Sequence, residues 1–484
     1  MDLITVLVSI LIVLFLALIW KCTAKYGYLE SLGIPVIKPF LFLGSPPFAL
    51  HKIQWVDFYQ KQHQKYGMTY GSYTGTYAII HTIDPEIIKA VYVKNFEELG
   101  DMIDNPNFED KMKTIDLAQG KDWKNLRKIM SPTFTSGKLK AMMEPMADIA
   151  DQAMEFLESK SDTPIGMKKF FQGYALDTIC RCGFSIETNC HADQDSPIAN
   201  AGREAFQGFV INNWLESIFT TFLYFFPGLE AKFPSLLYPE AFFKLQEIID
   251  DIIEKRQKSS EKHHDFIDKI IQVANDPKSP VSQDMIFAQG KIFFAAGFET
   301  TSNCLATLCY NLALNPDVQE KVYQEVLEAL EKHEKIDQEC IQDLPYLEAT
   351  LNENLRLYSP IIVQDRVCKK DVEVKGLLIK KGTYIQMPIQ AAHLHEEFFP
   401  EPHKFKPERF LNNEMLPYTF RAFSGGPRVC LGQRFALIEM KIGMAKLLQK
   451  FKIDTCPETK LELKPGDQFI LNYEEIYLKL TPRQ

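Results

Sequence analysis

Ten cysteines in 484 residues are too few for a disulfide scaffold, and no CxxC pair occurs among them. A small secreted, stapled fold and a zinc ribbon are both argued against. Positive charge is not in excess: 54 Lys and Arg face 63 Asp and Glu, for a net charge of −9. Binding of nucleic acid through global charge is therefore disfavoured. No GxGxxG follows a strand-like segment, so nothing signals a flavin or NADPH domain. Internal repeats and long Gly/Ser linkers are also missing. The composition that remains, 46% hydrophobic and 24% charged, is that of a globular chain with a sizeable core.

One long apolar run is present. Leu3 to Trp20 reads LITVLVSILIVLFLALIW without a charge, and eighteen residues span roughly 27 Å as a helix, close to a bilayer core. Asp2 precedes it; Lys21 and Lys25 follow. The spacing predicts an uncleaved anchor over residues 1–22, with the amino terminus lumenal and the body cytosolic. An acidic start and the sequence KCTAKYGY after Trp20 argue against a cleaved signal peptide. Residues 23–47 carry Pro35, Pro39, Pro46 and Pro47 and read as a stiff connector. Residues 48–484 read as one catalytic domain.

Strand character appears at 69–82 and again at 361–390, with mainly helical periodicity from about 85 to 355. The apolar stretch 217–243 reads either as core or as a segment dipping into lipid. The longest helix is predicted from Gln283 to Leu314, capped by Ser282 and stopped by Asn315-Pro316. At 1.5 Å per residue it is about 48 Å long and crosses the domain.

The segment Phe423 to Gly432, FSGGPRVCLG, is the most informative. Gly425, Gly426 and Pro427 force a tight loop, and a helix is predicted from about Leu431. Cys430 then lies at a helix amino terminus, where exposed amides and the dipole favour a thiolate. Phe423 can shield the sulfur, and Arg428 is placed to pair with a carboxylate. A thiolate, an aromatic shield and an arginine suit a haem iron with propionates.

The F-x-x-G-x-R-x-C-x-G spacing resembles the haem loop of the cytochrome P450 family. Four further motifs stand in the family's order: Trp123 and Arg127 as W-x-x-x-R; Ala296-Gly297-Phe298-Glu299-Thr300-Thr301 in the long helix; Glu353 and Arg356 as E-x-x-R; and Pro407-Glu408-Arg409-Phe410. The stretch Arg366 to Asp371 resembles the clan of vertebrate family-3 enzymes and their invertebrate relatives. The resemblance implies a mainly α fold with a small β-rich lobe (α+β). It implies haem b, ligated through the Cys430 thiolate and held by Arg428, Arg127, Trp123 and Arg366. Phe423, Ala296 and Gly297 would border the group. Thr300 and Glu299 would deliver the protons that dioxygen cleavage consumes. Glu353, Arg356 and Arg409 would form a buried structural network.

The implied activity is insertion of one oxygen atom of O2 into a lipophilic small molecule at the endoplasmic reticulum membrane. Electrons would come from NADPH through a separate cytochrome P450 reductase, with cytochrome b5 as a further donor. Lys121, Lys124, Arg127, Lys128, Lys138 and Lys140, extended by Arg434 and Lys441, would offer that acidic partner a basic face. The pocket walls would include 102–108, Phe293 to Ala295, Ile361 to Val363 and 469–471. A peroxide isomerase and a gas-binding haem protein are the competing readings; neither needs the Glu299-Thr300 pair.

Overall fold

A computed structural model describes residues 3–40, 44–45, 54–102, 109–160, 163–207, 240–412, 415–463 and 473–483. The apolar run forms helix α1, Leu3–Thr23, exposed from Ile4 to Ala17 and buried at Cys22. Among the described residues it gives the one helix long and apolar enough to cross a membrane. The connector is partly helical, with a turn at Tyr28–Ser31. Beyond it, Val36 bridges to Gly71, and Phe40 to Gly44. Most of the apolar stretch 217–243 lies outside the described residues.

Eight helices matter below: α1, α2 (Trp55–Tyr66), α3 (Gly120–Met130), α4 (Ser136–Glu158), α5 (Met167–Phe184), α6 (Gln283–Leu314), α7 (Pro345–Leu357) and α8 (Gln433–Lys450). Helix α6 has the predicted bounds. The Ser282 hydroxyl accepts from Met285 N at 3.2 Å, and Pro316 cannot continue the amide ladder. Helix α5 is buried on nearly every side and runs against α6. Two glycines set that approach. A Cβ on Gly297 would lie 2.8 Å from Ile179 Cδ1, and one on Gly183 2.8 Å from Phe293 Cε1. The core is therefore helix on helix, with α4 and α8 continuing it.

The β-rich lobe is small. A hairpin of β1 (Thr69–Thr74) and β2 (Tyr77–Thr82) turns at Gly75, φ 53°. The short strand β3 (Ile165–Gly166) follows, then β4 (Val363–Val367), β5 (Val372–Val374), β6 (Leu377–Ile379) and β7 (Tyr384–Pro388). The main sheet has the order β1-β2-β7-β4, with β2 and β7 parallel and the other pairs antiparallel. Two strands at the carboxyl end, β8 (Phe451–Asp454) and β9 (Tyr477–Pro482), pair with each other, and β9 also pairs with β3. The fold is mainly α with small sheets, as expected.

Candidate functional site

The loop into Cys430 is closed on itself: Cys430 N donates to Phe423 O at 2.9 Å. Gly425 and Gly426 make this possible, but what they approach is protein. A Cβ on Gly425 would lie 2.7 Å from the Tyr92 ring, and one on Gly426 2.2 Å from Tyr92 O. Gly426 also has φ 65°, which an L side chain rarely adopts. Tyr92 in turn hydrogen-bonds Gln364. Sequence reasoning missed Tyr92, since nothing local marks it. Helix α8 starts at Gln433, two residues later than expected.

Cys430 is the exposed one of the ten cysteines; eight are buried and Cys456 is intermediate. Its sulfur still has protein on most sides. Burial pushes the thiol up, while the amides of Gly432 and Gln433 and the Arg127 charge pull it down; burial wins. The amides at the helix terminus act in the expected direction, and burial outweighs them. A proton must leave when the sulfur binds a cation.

Across from the loop, α6 opens at one place. Ala296 is exposed and Gly297 and Thr300 are half-buried, yet every residue from Thr301 to Leu312 is buried. Leu431, beside Cys430, and Ala295, beside Ala296, pack into one apolar cluster with Trp123, Ile179 and Phe294. The opening of α6 and the exposed cysteine therefore share a neighbourhood. Thr300 Oγ1 donates to Ala296 O at 2.7 Å, the predicted back-bond. Gly297 does not leave space at that opening; its bare face meets Ile179.

Glu299 faces the other way. Its carboxylate accepts from Gln172 Nε2 at 3.0 Å and from Asn303 Nδ2 at 3.1 Å, with Lys168 Nζ at 3.8 Å. It is 2% exposed. A helix turns 100° per residue, so adjacent side chains cannot share a face. The two members of the expected acid–alcohol pair are not together.

The arginines converge. Arg428 Nη2 donates to Asp101 Oδ1 at 2.9 Å and to Ala118 O at 2.8 Å, and its guanidinium lies 4.5 Å from the Trp123 ring centre. Burial, then the charge of Arg366, pushes Arg428 down to about 10. Arg366 is itself buried and held down by burial, with Tyr92 and Asp101 acting the other way. Lys369 Nζ lies 3.9 Å from Asp101 as well. Asp365 acts on Arg366 and Asp116 on Arg428 as well, yet Arg428 Nε is buried without a partner. An acceptor for that idle donor is what this cluster lacks. A haem propionate fits it. Arg127 Nη1 donates to Val429 O at 2.9 Å, so it braces the residue before Cys430.

The structural network is present. Arg356 forks onto Glu353 at 2.7 and 2.8 Å and also reaches the carbonyls of His393, Pro402 and Lys404. Arg409 Nε joins Glu353 at 3.4 Å. Two other expectations change. Lys441 is buried against Glu348 at 2.5 Å and adds nothing to a basic face. Phe294 and Ala295 are buried in the core rather than lining an opening. Residues 103–108 and 469–471 lie outside the described residues.

The family model described as "Cytochrome P450" matches residues 34–480. The chain is 34% identical to cytochrome P450 3A11 of Mus musculus, over 100% of this chain and 99% of that one. It is 33% identical to cytochrome P450 3A9 of Rattus norvegicus, over 98% and 96%. Cytochrome P450 3A29 of Sus scrofa is 32% identical, over 95% and 93%. With the motifs in order, the fold as expected and an exposed cysteine beside an open helix, the chain belongs to the cytochrome P450 family of haem-thiolate monooxygenases.

Proposed function

We propose that Cys430 supplies the thiolate and that the enzyme oxygenates lipophilic small molecules at the endoplasmic reticulum membrane. The observation that carries this reading is the pairing of the exposed Cys430 with the opening at Ala296 and Thr300. Haem b, when bound, supplies the dioxygen activation and electron-transfer chemistry. Arg428, Arg366 and Trp123 hold its propionate side. Arg127 braces Val429 O and lowers the cost of a charged sulfur. Thr300 presents a hydroxyl at the opening, where its oxygen can accept from water and pass a proton on. Glu299, held away by Gln172 and Asn303, positions the helix around Thr300. The anchor α1 keeps the domain at the membrane, and an apolar opening favours substrates that partition there.

Electrons come from a separate NADPH-dependent flavoprotein. Helix α3 carries Arg127 to the Cys430 loop, so its outer face lies on the cysteine side. Lys121, Lys128 and Lys140 are exposed there and make no ion pair among the described residues; Arg434 is exposed beside Ser136. Lys124 is partly neutralised by Glu97 at 2.8 Å. An acidic partner is steered to such a face. Reconstitution with NADPH–cytochrome P450 reductase, O2 and a lipophilic substrate tests the reading. Stoichiometric NADPH consumption and a product one oxygen heavier are expected. Turnover of a peroxide without reductase, and none with it, would contradict it.

A further inference from the structure

Helix α1 does not end in a loose tether. Cys22, in its last turn, is buried, and Leu29 packs into one apolar cluster with Tyr73, Val374 and Ile379 of the sheet lobe. Leu29 N also donates to Tyr73 Oη at 3.0 Å. Tyr26 N donates to Thr23 O at 2.9 Å and Tyr28 N to Lys25 O at 3.2 Å, so the chain turns at once where the helix stops. Lysines just past a membrane span sit at the level of the lipid head groups.

Two tyrosines of this junction hold two exposed apolar residues beside it. Tyr26 Oη donates to Phe40 O at 3.2 Å. Tyr28 Oη donates to Leu378 O, on β6, at 3.1 Å and accepts from Lys380 N at 2.9 Å. Phe40 is 61% exposed and Leu378 is 50% exposed. Either one alone is ordinary for a protein surface. Here both are tied to the end of the anchor, and lysines surround them. Lys380 Nζ lies 5.3 Å from the Tyr28 ring centre. A Cβ on Gly382, next to Lys381, would lie 3.8 Å from Lys25 Nζ. Residues 21–40 and 369–382 hold three and five lysines, against one acid and two, in a chain of net charge −9. Of those acids, Glu30 accepts from Tyr73 Oη at 2.6 Å and Asp371 from Lys381 N at 2.8 Å. Glu373 stands across the β5–β6 ladder from Leu378, where the lysines outnumber it.

We propose that Phe40, Leu378, Lys25, Lys380 and Lys381 form a second membrane contact, specific for a leaflet that carries anionic phospholipid. The phenyl and isobutyl groups enter the head-group layer, and the ammonium groups take the lipid phosphates and carboxylates. The inference rests on α1 spanning the bilayer. It shares no lysine with the face of α3. Anchor and hairpin together fix the tilt of the domain on the membrane, which one helix alone does not.

The test uses the full-length, haem-loaded protein in nanodiscs of phosphatidylcholine, alone or mixed with phosphatidylserine, with and without bromine on the acyl chains. Bromine quenches an indole that reaches the lipid. The emission that Trp20→Phe removes from the wild type reports the anchor; the emission that Leu378→Trp adds reports the hairpin. Both should be lost in brominated discs that contain phosphatidylserine. The hairpin signal should return when Lys380→Gln and Lys381→Gln are added to Leu378→Trp. A quenched anchor with an unquenched hairpin would overturn the proposal and leave the anchor standing. Equal quenching of the hairpin without phosphatidylserine would overturn it too. No quenching of either would mean that α1 does not span the bilayer, and the proposal would fall with it. Amide hydrogen exchange of the wild type keeps the test decisive if the variants do not fold. Exchange over 376–381 should slow when phosphatidylserine is added, and equal rates in the two lipids would overturn the proposal.

Discussion

Thr300 and Glu299 are adjacent in the chain, yet Thr300 lies half-exposed at the opening of α6 and Glu299 is locked against Gln172 and Asn303. The two residues should therefore fail differently. Thr300→Ala keeps haem content and stability but lowers product formed per NADPH, on the order of 10²-fold in the coupled rate if proton delivery is lost. Glu299→Gln leaves a buried cluster mismatched and costs about 1–3 kcal/mol of stability. Haem content, melting temperature and product per NADPH, measured on both variants, separate these outcomes. An equal loss of coupling in both would mean that Glu299 takes part directly.

The Gly297–Ile179 contact carries a second prediction. Gly297→Ala gains about 1 kcal/mol of helix propensity but drives a methyl to 2.8 Å from Ile179 Cδ1. Overpacking of this kind costs about 1–3 kcal/mol. A net loss of holoprotein stability is expected, and Ile179→Ala added to it should recover part of the loss. Denaturant unfolding of the two single variants and the double variant measures the coupling.

How much of this was legible beforehand follows from where the information lies. The bounds of the long helix are local: Ser282 caps one end and Pro316 stops the other, so the sequence alone places them. The Glu353–Arg356 pair is also local, three residues apart on one helix. Tyr92 under the glycines and Asp101 beside Arg428 are long-range. They depend on which loops meet, and no spacing rule reports that. The side on which Glu299 lies is long-range too: its carboxylate turns to Gln172 and Asn303, although Thr300 is its neighbour in sequence.

Breaking the Arg356 network gives a third prediction. Arg356→Ala leaves Glu353 buried at 0% exposure with only Arg409 and the Lys406 amide to face. A cost of about 3–5 kcal/mol is expected. The phenotype is loss of haem-loaded protein, read as the haem absorbance per mole of chain. Full haem content with slow turnover would contradict it.

Asp177 sets a pH dependence. Burial alone would raise its carboxyl, but the His191 ring, the Thr188 hydroxyl and the amides of Cys190 and His191 outweigh it and hold it below the ordinary value. A depressed carboxylate adds stability that is fully present above the unfolded value, about 3.9. That stability is lost as pH falls through the lower folded value. Asp177→Asn should lower stability at pH 7 and flatten the loss below about pH 4. Unfolding curves from pH 7 to pH 3 for both proteins check the slope.

The central claim is that Cys430 binds the haem iron as a thiolate. The carbon monoxide difference spectrum of the dithionite-reduced protein, recorded for wild type beside Cys430→Ser, tests it most directly. The account predicts a strongly red-shifted Soret band in wild type that the variant lacks. Well-folded, haem-loaded wild type without that band, or a variant that keeps it, would contradict the assignment.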